Sequence, residues 1–292
     1  MLANDIGPGD EVITTPFTFF ATASVIMMAG AKPVFVDVEE DGFCLDPLKV
    51  KAAITDKTKA IQPVHLYGEL ADMPSFVKIS NENNLILIED SAQAHNADSW
   101  NGKAGSFGDV GWFSFYPTKN MTTSEGGIIT TNDEKIANLC KGLRAHGMTA
   151  QYQHTEFGYN YRMTDISAAI GRVQLEKLND FNSRRREIAN IYNEKLSNYV
   201  EVPKNRRGHV FHQYTILCKE RNQLKDHLNA KGVGSGIYYP TLLYDYGPMS
   251  EFVADCPNAK RLTDMALSLP VHPNLSNSDV SKVFESVISF FE

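Results

Sequence analysis

The chain has 292 residues, 42% of them hydrophobic and 22% charged, with a formal net charge of −7. That composition is globular, and the length is enough for a substantial core plus a smaller second unit. The negative balance gives no overall positive field for nucleic acid or an anionic membrane. No apolar run reaches the roughly 18 residues of a membrane span. The four cysteines are scattered without a C-x-x-C pair, which argues against a zinc knuckle or a disulfide framework and fits a reducing cytoplasm.

Apolar runs set against turn residues predict a strand at 11–15, a helix at 18–28, a strand at 33–37, a helix at 47–53 and a strand at 60–65. A helix at 73–83 and a strand at 85–89 continue the alternation, and two closer strands follow at 110–114 and 127–131. This βαβ series calls for a mostly parallel sheet covered by helices on both faces. A helix at 133–146 and a polar stretch lead into a long helix at 164–196. Its Ile166, Ala169, Ile170, Val173, Leu175 and Leu178 recur at helical spacing, and it reads as a bridge to a second unit. Beyond Pro203 come a strand at 211–218, a helix at 220–230, a short strand at 237–239 and a closing helix at 279–291. The expected division is a large unit at 1–200 and a smaller α+β unit at 201–292. Arg184-Arg185-Arg186 is expected to form a solvated or intersubunit helix face.

Asp90 closes the apolar strand Leu85-Ile-Leu-Ile-Glu-Asp, and Lys119 follows in the run Ser114-Phe-Tyr-Pro-Thr-Lys119, bounded by Gly126-Gly127. In open α/β sheets ligands sit outside the carboxyl ends of the strands. An amine and an anion placed there match the needs of pyridoxal phosphate: a nucleophile for its aldehyde and a carboxylate for its ring nitrogen. For Asp90 the plainer alternative is a cap on the following turn. Gln93 stands three residues on and could donate to a ring hydroxyl. Phe19 could offer an aromatic face or simply pack in the core. Ser114 could reach a phosphate.

Taken in order, the motifs resemble the DegT/DnrJ/EryC1/StrS family of sugar aminotransferases. The match runs from Gly7-Pro-Gly-Asp-Glu-Val-Ile-Thr-Thr-Pro16 and Gly30-Ala-Lys-Pro-Val-Phe-Val-Asp37 through Glu89-Asp-Ser-Ala-Gln-Ala-His95 and Phe113-Ser-Phe-Tyr-Pro-Thr-Lys119. It continues in Gly158-Tyr-Asn-Tyr-Arg-Met-Thr-Asp165 and Gly236-Ile-Tyr-Tyr-Pro240. The resemblance implies a pyridoxal-phosphate-dependent transferase of fold type I with Lys119 as the cofactor lysine. It also implies Asp90 on the ring nitrogen, Gln93 at the ring hydroxyl, Phe19 on the ring face and Ser114 on the phosphate. Asn160, with Arg162 beside it, is expected to reach the phosphate of a neighbouring subunit in a homodimer with shared active sites. Tyr116, Tyr239 and Pro240 are expected beside the substrate. The implied reaction takes an amino group from an amino acid, L-glutamate foremost, to a keto group of a nucleotide-linked sugar. A non-catalytic or regulatory relative, or an enzyme making an aminated ring precursor, remains open at this point. Relatives carry a further N-terminal segment with a Ser-Gly-Thr stretch that binds the phosphate, so the chain reads as N-terminally shortened.

Overall fold

A computed structural model describes every residue but Asn205. Its centre is a six-stranded sheet of β1 (Glu11–Thr14), β2 (Lys32–Phe35), β3 (Thr58–Ile61), β4 (Ile86–Asp90), β7 (Val110–Ser114) and β8 (Gly127–Thr130), in the order β2-β1-β3-β4-β7-β8. All neighbours are parallel except β7 and β8, which form an antiparallel hairpin. Two short hairpins, β5–β6 (Asp98–Ser99 with Gly102–Lys103) and β9–β10 (Met148–Ala150 with Gln153–His154), decorate the loops.

The continuous apolar runs are explained by cover on both faces. Adjacent strand residues enter opposite cores: Ile13, Ile61 and Leu87 pack with α2 (Pro47–Ala53) and α3 (Met73–Asn83), whereas Val12, Ala60 and Ile88 pack with α1 (Ala21–Met28) and α4 (Glu134–Leu143). Local chemistry sets the helix starts. Asp46, Asp72 and Asp133 each accept backbone N–H groups of the first turn, with proline also in that turn of α2 and α3.

Helix α5 (Asp165–Leu196) runs 32 residues, about 48 Å at 1.5 Å per residue. Its second half enters another core: Ile188, Ala189, Tyr192 and Leu196 pack with β11 (Tyr214–Leu217), α6 (Arg221–Ala230), β12 (Ala266–Leu269) and α8 (Asn277–Phe291). Its first half differs from the expected apolar face, because only Leu178 of the six predicted residues is buried and Ile166, Ile170, Val173 and Leu175 are exposed. Edge strand β8 likewise exposes Ile128 and Ile129.

Two elements of the second unit escape the sequence reading: α7 (Pro257–Met265) and β12, which pairs antiparallel with all of β11. Ala-Leu-Ser-Leu lacks the β-branched residues that mark a strand. The short strand at 237–239 is not present; Gly236 alone bridges to Ser268, and Tyr238 and Tyr239 belong to a loop. Asp37, buried at the end of the β2 segment, accepts the N–H groups of Asn258 and Ala259 in the first turn of α7, where the helix dipole favours a negative charge. That contact fastens the second unit to the sheet.

Candidate active site

The loops leaving the carboxyl ends of β1, β3, β4 and β7 converge on one cavity of about 1080 Å³, closed on its far side by the 234–239 loop and the end of β12. Lys119, Asp90, Gln93, Phe19, Ser114, Tyr116 and Tyr239 all line it.

Asp90 is 5% exposed. Thr22 Oγ1 donates to its Oδ2 at 2.8 Å and the Ala92 N–H to its Oδ1 at 3.2 Å, and among the described residues it has no ion-pair partner. The capping alternative therefore accounts for one carboxylate oxygen only. Next to it, Glu89 points to the opposite side of the strand and holds the scaffold. It accepts the N–H groups of Gly105, Phe107 and Gly108 at 2.7–2.8 Å, and His65 Nε2–H at 3.0 Å. Burial pushes the Glu89 carboxyl up, but these bonds outweigh it and the net displacement is downward.

Lys119 lies in the twelve-residue excursion between β7 and β8, where its N–H donates to the Tyr116 carbonyl and Thr123 N–H to that of Phe115. Gly126, at φ +147°, closes the excursion; a Cβ there would come within 2.7 Å of Thr123 Oγ1. Burial lowers the Lys119 pKa, and the charge of Asp90 only partly opposes this. The neutral, nucleophilic amine is thereby favoured.

The Gln93 carboxamide spans two parts of the molecule: Oε1 accepts from the Tyr67 N–H at 2.7 Å, and Nε2 donates to the Tyr239 hydroxyl at 3.1 Å. Tyr67 in turn donates its hydroxyl to the Tyr238 carbonyl. Phe19 is 58% exposed, so it is a cavity wall and not the core residue that composition alone would suggest. Ser114 is half-buried; its carbonyl accepts from His95 Nε2–H at 2.8 Å. Asn160 and Arg162 do not line this cavity; both are exposed on the chain's own surface. Pro240 is exposed and does not line this cavity.

Sequence reasoning missed Thr22, His212, Gln213 and Ser235, and misjudged Arg185. That arginine is buried beside the cavity and donates Nη1 to the carbonyls of Phe211 and His212. Arg184 and Arg186 stay at the surface, half-buried. A signal was available: Leu178, Asn182, Arg185, Ala189, Tyr192 and Leu196 alternate at steps of four and three, the buried stripe of α5.

A buried acid without a cation and a desolvated amine on the same cavity fit the two ends of a pyridoxal ring. Comparisons agree. The sequence signature of the DegT/DnrJ/EryC1/StrS aminotransferase family matches residues 1–288. A pleiotropic regulatory protein of Geobacillus stearothermophilus is 42% identical over 300 residues, covering 99% of this chain and 80% of its own. The UDP-N-acetyl-3-dehydro-alpha-D-glucosamine 3-aminotransferase of Acidithiobacillus ferrooxidans is 41% identical over 286 residues, covering 96% and 78%. The crystal structure of a DegT DnrJ EryC1 StrS aminotransferase from Brucella abortus superposes with a TM-score of 0.96 at 36% identity, covering 99% and 81%. Fold and site thus define a pyridoxal-phosphate-dependent aminotransferase with a mostly parallel central sheet. The chain belongs to the DegT/DnrJ/EryC1/StrS aminotransferase family.

Proposed function

We propose that this protein moves an amino group from an amino acid, L-glutamate foremost, to a keto group of a nucleotide-linked sugar. The observation that carries the reading is the meeting of Lys119 and Asp90 on one cavity large enough for a cofactor and the sugar end of such a substrate.

Bound pyridoxal phosphate supplies an electron sink for the charge left when a proton leaves the carbon that bears the amine. Asp90 would hold the proton on the ring nitrogen, and Thr22 keeps that carboxylate aimed. Gln93 would face the ring hydroxyl, Phe19 the ring plane and Ser114 the phosphate. The Lys119 amine, whose pKa burial lowers, would take the proton from the donor's α-carbon and return it on the cofactor side. Tyr116 and Tyr239, which line the cavity, would contact the sugar.

We further read the molecule as a homodimer with shared active sites. The exposed Ile166, Ile170, Val173 and Leu175 of α5, and Ile128 and Ile129 of β8, are the apolar surface that a second copy would cover. The exposed Asn160 and Arg162 would then reach the partner's phosphate. A large unit at 1–200 and a small one at 201–292 accord with the separate core around β11 and β12. All four cysteines are free thiols, in keeping with a cytoplasmic setting.

The test is spectroscopic. Adding pyridoxal phosphate to the purified protein should produce the cofactor's visible absorption band, and L-glutamate should bleach it. A nucleotide-linked keto-sugar should then restore the band with formation of an aminated sugar, detected by mass. Absence of any band after cofactor addition would overturn the proposal.

A further inference from the structure

Arg185 is 6% exposed and carries its charge into the interior without a counter-ion: among the described residues no carboxylate lies within ion-pair distance. Burial lowers its pKa to about 10, which leaves it charged at neutral pH. Its Nη1 is spent on two backbone carbonyls, and its Nε is sealed from solvent with no partner among the described residues. Among the described residues one further buried donor of the same cavity wall lacks a partner, the Ser235 hydroxyl. The neighbouring His212 cannot balance the charge. Burial first, then the charges of Lys119 and Arg185, hold it neutral. Leaving a buried cation and a hydroxyl donor unmatched is costly, and such a wall is complete only when an anion sits against it.

Three anions are available to a transaminating site: the cofactor phosphate, the diphosphate of a nucleotide-linked acceptor, and the donor's α-carboxylate. Position separates them. Arg185 Nη1 donates to the His212 carbonyl at 3.3 Å, and the His212 ring is hydrogen-bonded at 3.2 Å to Asn120, the residue after Lys119, so the guanidinium lies on the side of the cavity that holds the amine. A nucleotide is bulky and must extend toward the mouth, where Phe19, Tyr116 and Tyr238 are exposed. Ser114 lies on the strand that leads to Lys119 and is the group read here for the phosphate. The α-carboxylate is small, planar and one bond from the reacting carbon. It suits a guanidinium fork beside the amine.

We propose that Arg185 binds the α-carboxylate of the amino-acid donor, with the Ser235 hydroxyl completing the subsite from the second unit. This rests on the aminotransferase reading above. Because the wall joins α5, the segment before β11 and the 234–239 loop, donor recognition would draw the two units together around the amine.

The experiment compares L-glutamate with 4-aminobutyrate, the same molecule without its α-carboxylate. Both are added to cofactor-loaded wild type, Arg185→Gln, Arg185→Lys and Ser235→Ala, and bleaching of the visible band is titrated. Arg185→Gln should weaken saturation by glutamate by ~30-fold or more, the usual effect of removing one partner of a buried charge pair. Saturation by 4-aminobutyrate should move by no more than ~3-fold, so the preference collapses; Arg185→Lys should fall between, and Ser235→Ala should lose about fivefold for glutamate alone. Equal loss for both amines would mark Arg185 as structural only and overturn the proposal, as would unchanged glutamate binding. Weakened UDP binding with intact glutamate binding would move the anion to the acceptor and also overturn it. Calorimetric titration with 2-oxoglutarate reads the subsite without turnover: binding to wild type that Arg185→Lys weakens supports the assignment even if no amino transfer is seen, and no binding to wild type refutes it.

Discussion

Gln93 and Tyr239 are 146 positions apart, and their side chains meet across the cavity: the amide nitrogen of the first donates to the hydroxyl of the second at 3.1 Å. The same carboxamide accepts the buried Tyr67 N–H. Truncating Gln93 to Ala orphans that N–H and should destabilise the protein by about 1–3 kcal/mol, whereas Tyr239→Phe removes one bond and should cost about 1 kcal/mol. Urea titration of the single and double variants measures the coupling; a coupling of zero would show that the contact contributes nothing.

Replacing Lys119 by Ala should abolish both the visible band of the cofactor and all bleaching by L-glutamate, with the melting temperature little changed. Lys119→Arg should behave alike, because it restores charge but not a neutral amine. Persistence of the band in either variant would refute the lysine assignment.

Glu89 receives three backbone N–H groups and one histidine N–H in a fully buried position. Glu89→Ala strands all four donors and should destabilise the fold by at least ~3 kcal/mol, with Glu89→Gln milder. Denaturant midpoints decide it, and a loss below ~1 kcal/mol would contradict the role.

His95 has its pKa lowered from 6.5 to about 4, by burial first and then by the charges of Lys119 and Arg185, against the bond to the Ser114 carbonyl. A depressed folded-state value means the unfolded chain binds the proton more readily. The associated stability is therefore present above pH 6.5 and lost as pH falls toward 4, amounting to roughly 3 kcal/mol. His95→Gln should flatten the stability profile in that window, as read from urea midpoints at stepped pH.

Introducing Glu at Val173 or Lys at Ile129 should shift sedimentation toward a single copy, because both residues are exposed apolar positions on the surface assigned to the partner. If both variants sediment like wild type, that surface is not the interface.

The sheet and the lysine–aspartate pair were legible because each depends on short-range patterns. A buried strand ending in Asp90, and a lysine in a turn closed by glycine, declare themselves within a few residues. Ser235 gave no such sign; it is an ordinary polar residue whose importance arises only when α5, β11 and the 234–239 loop come together. Arg185 was hidden by company, since its two arginine neighbours do face outward, and only the four-and-three spacing through Leu178 and Tyr192 betrays it. Ile237-Tyr-Tyr has the composition of a strand, yet its tyrosines are turned to the cavity and Gly236 alone pairs with the sheet.

Helix α5 carries Leu178 against Phe115 and Met121 of the lysine-bearing excursion, Arg185 at the cavity and Ile188 in the C-terminal core. These three stations share one rod, so a repacking of the distant core that slides or rolls the rod must displace the amine's surroundings as well. A change made in the C-terminal third leaves the lysine's surroundings intact only where it falls in loops and holds the helix axis constant.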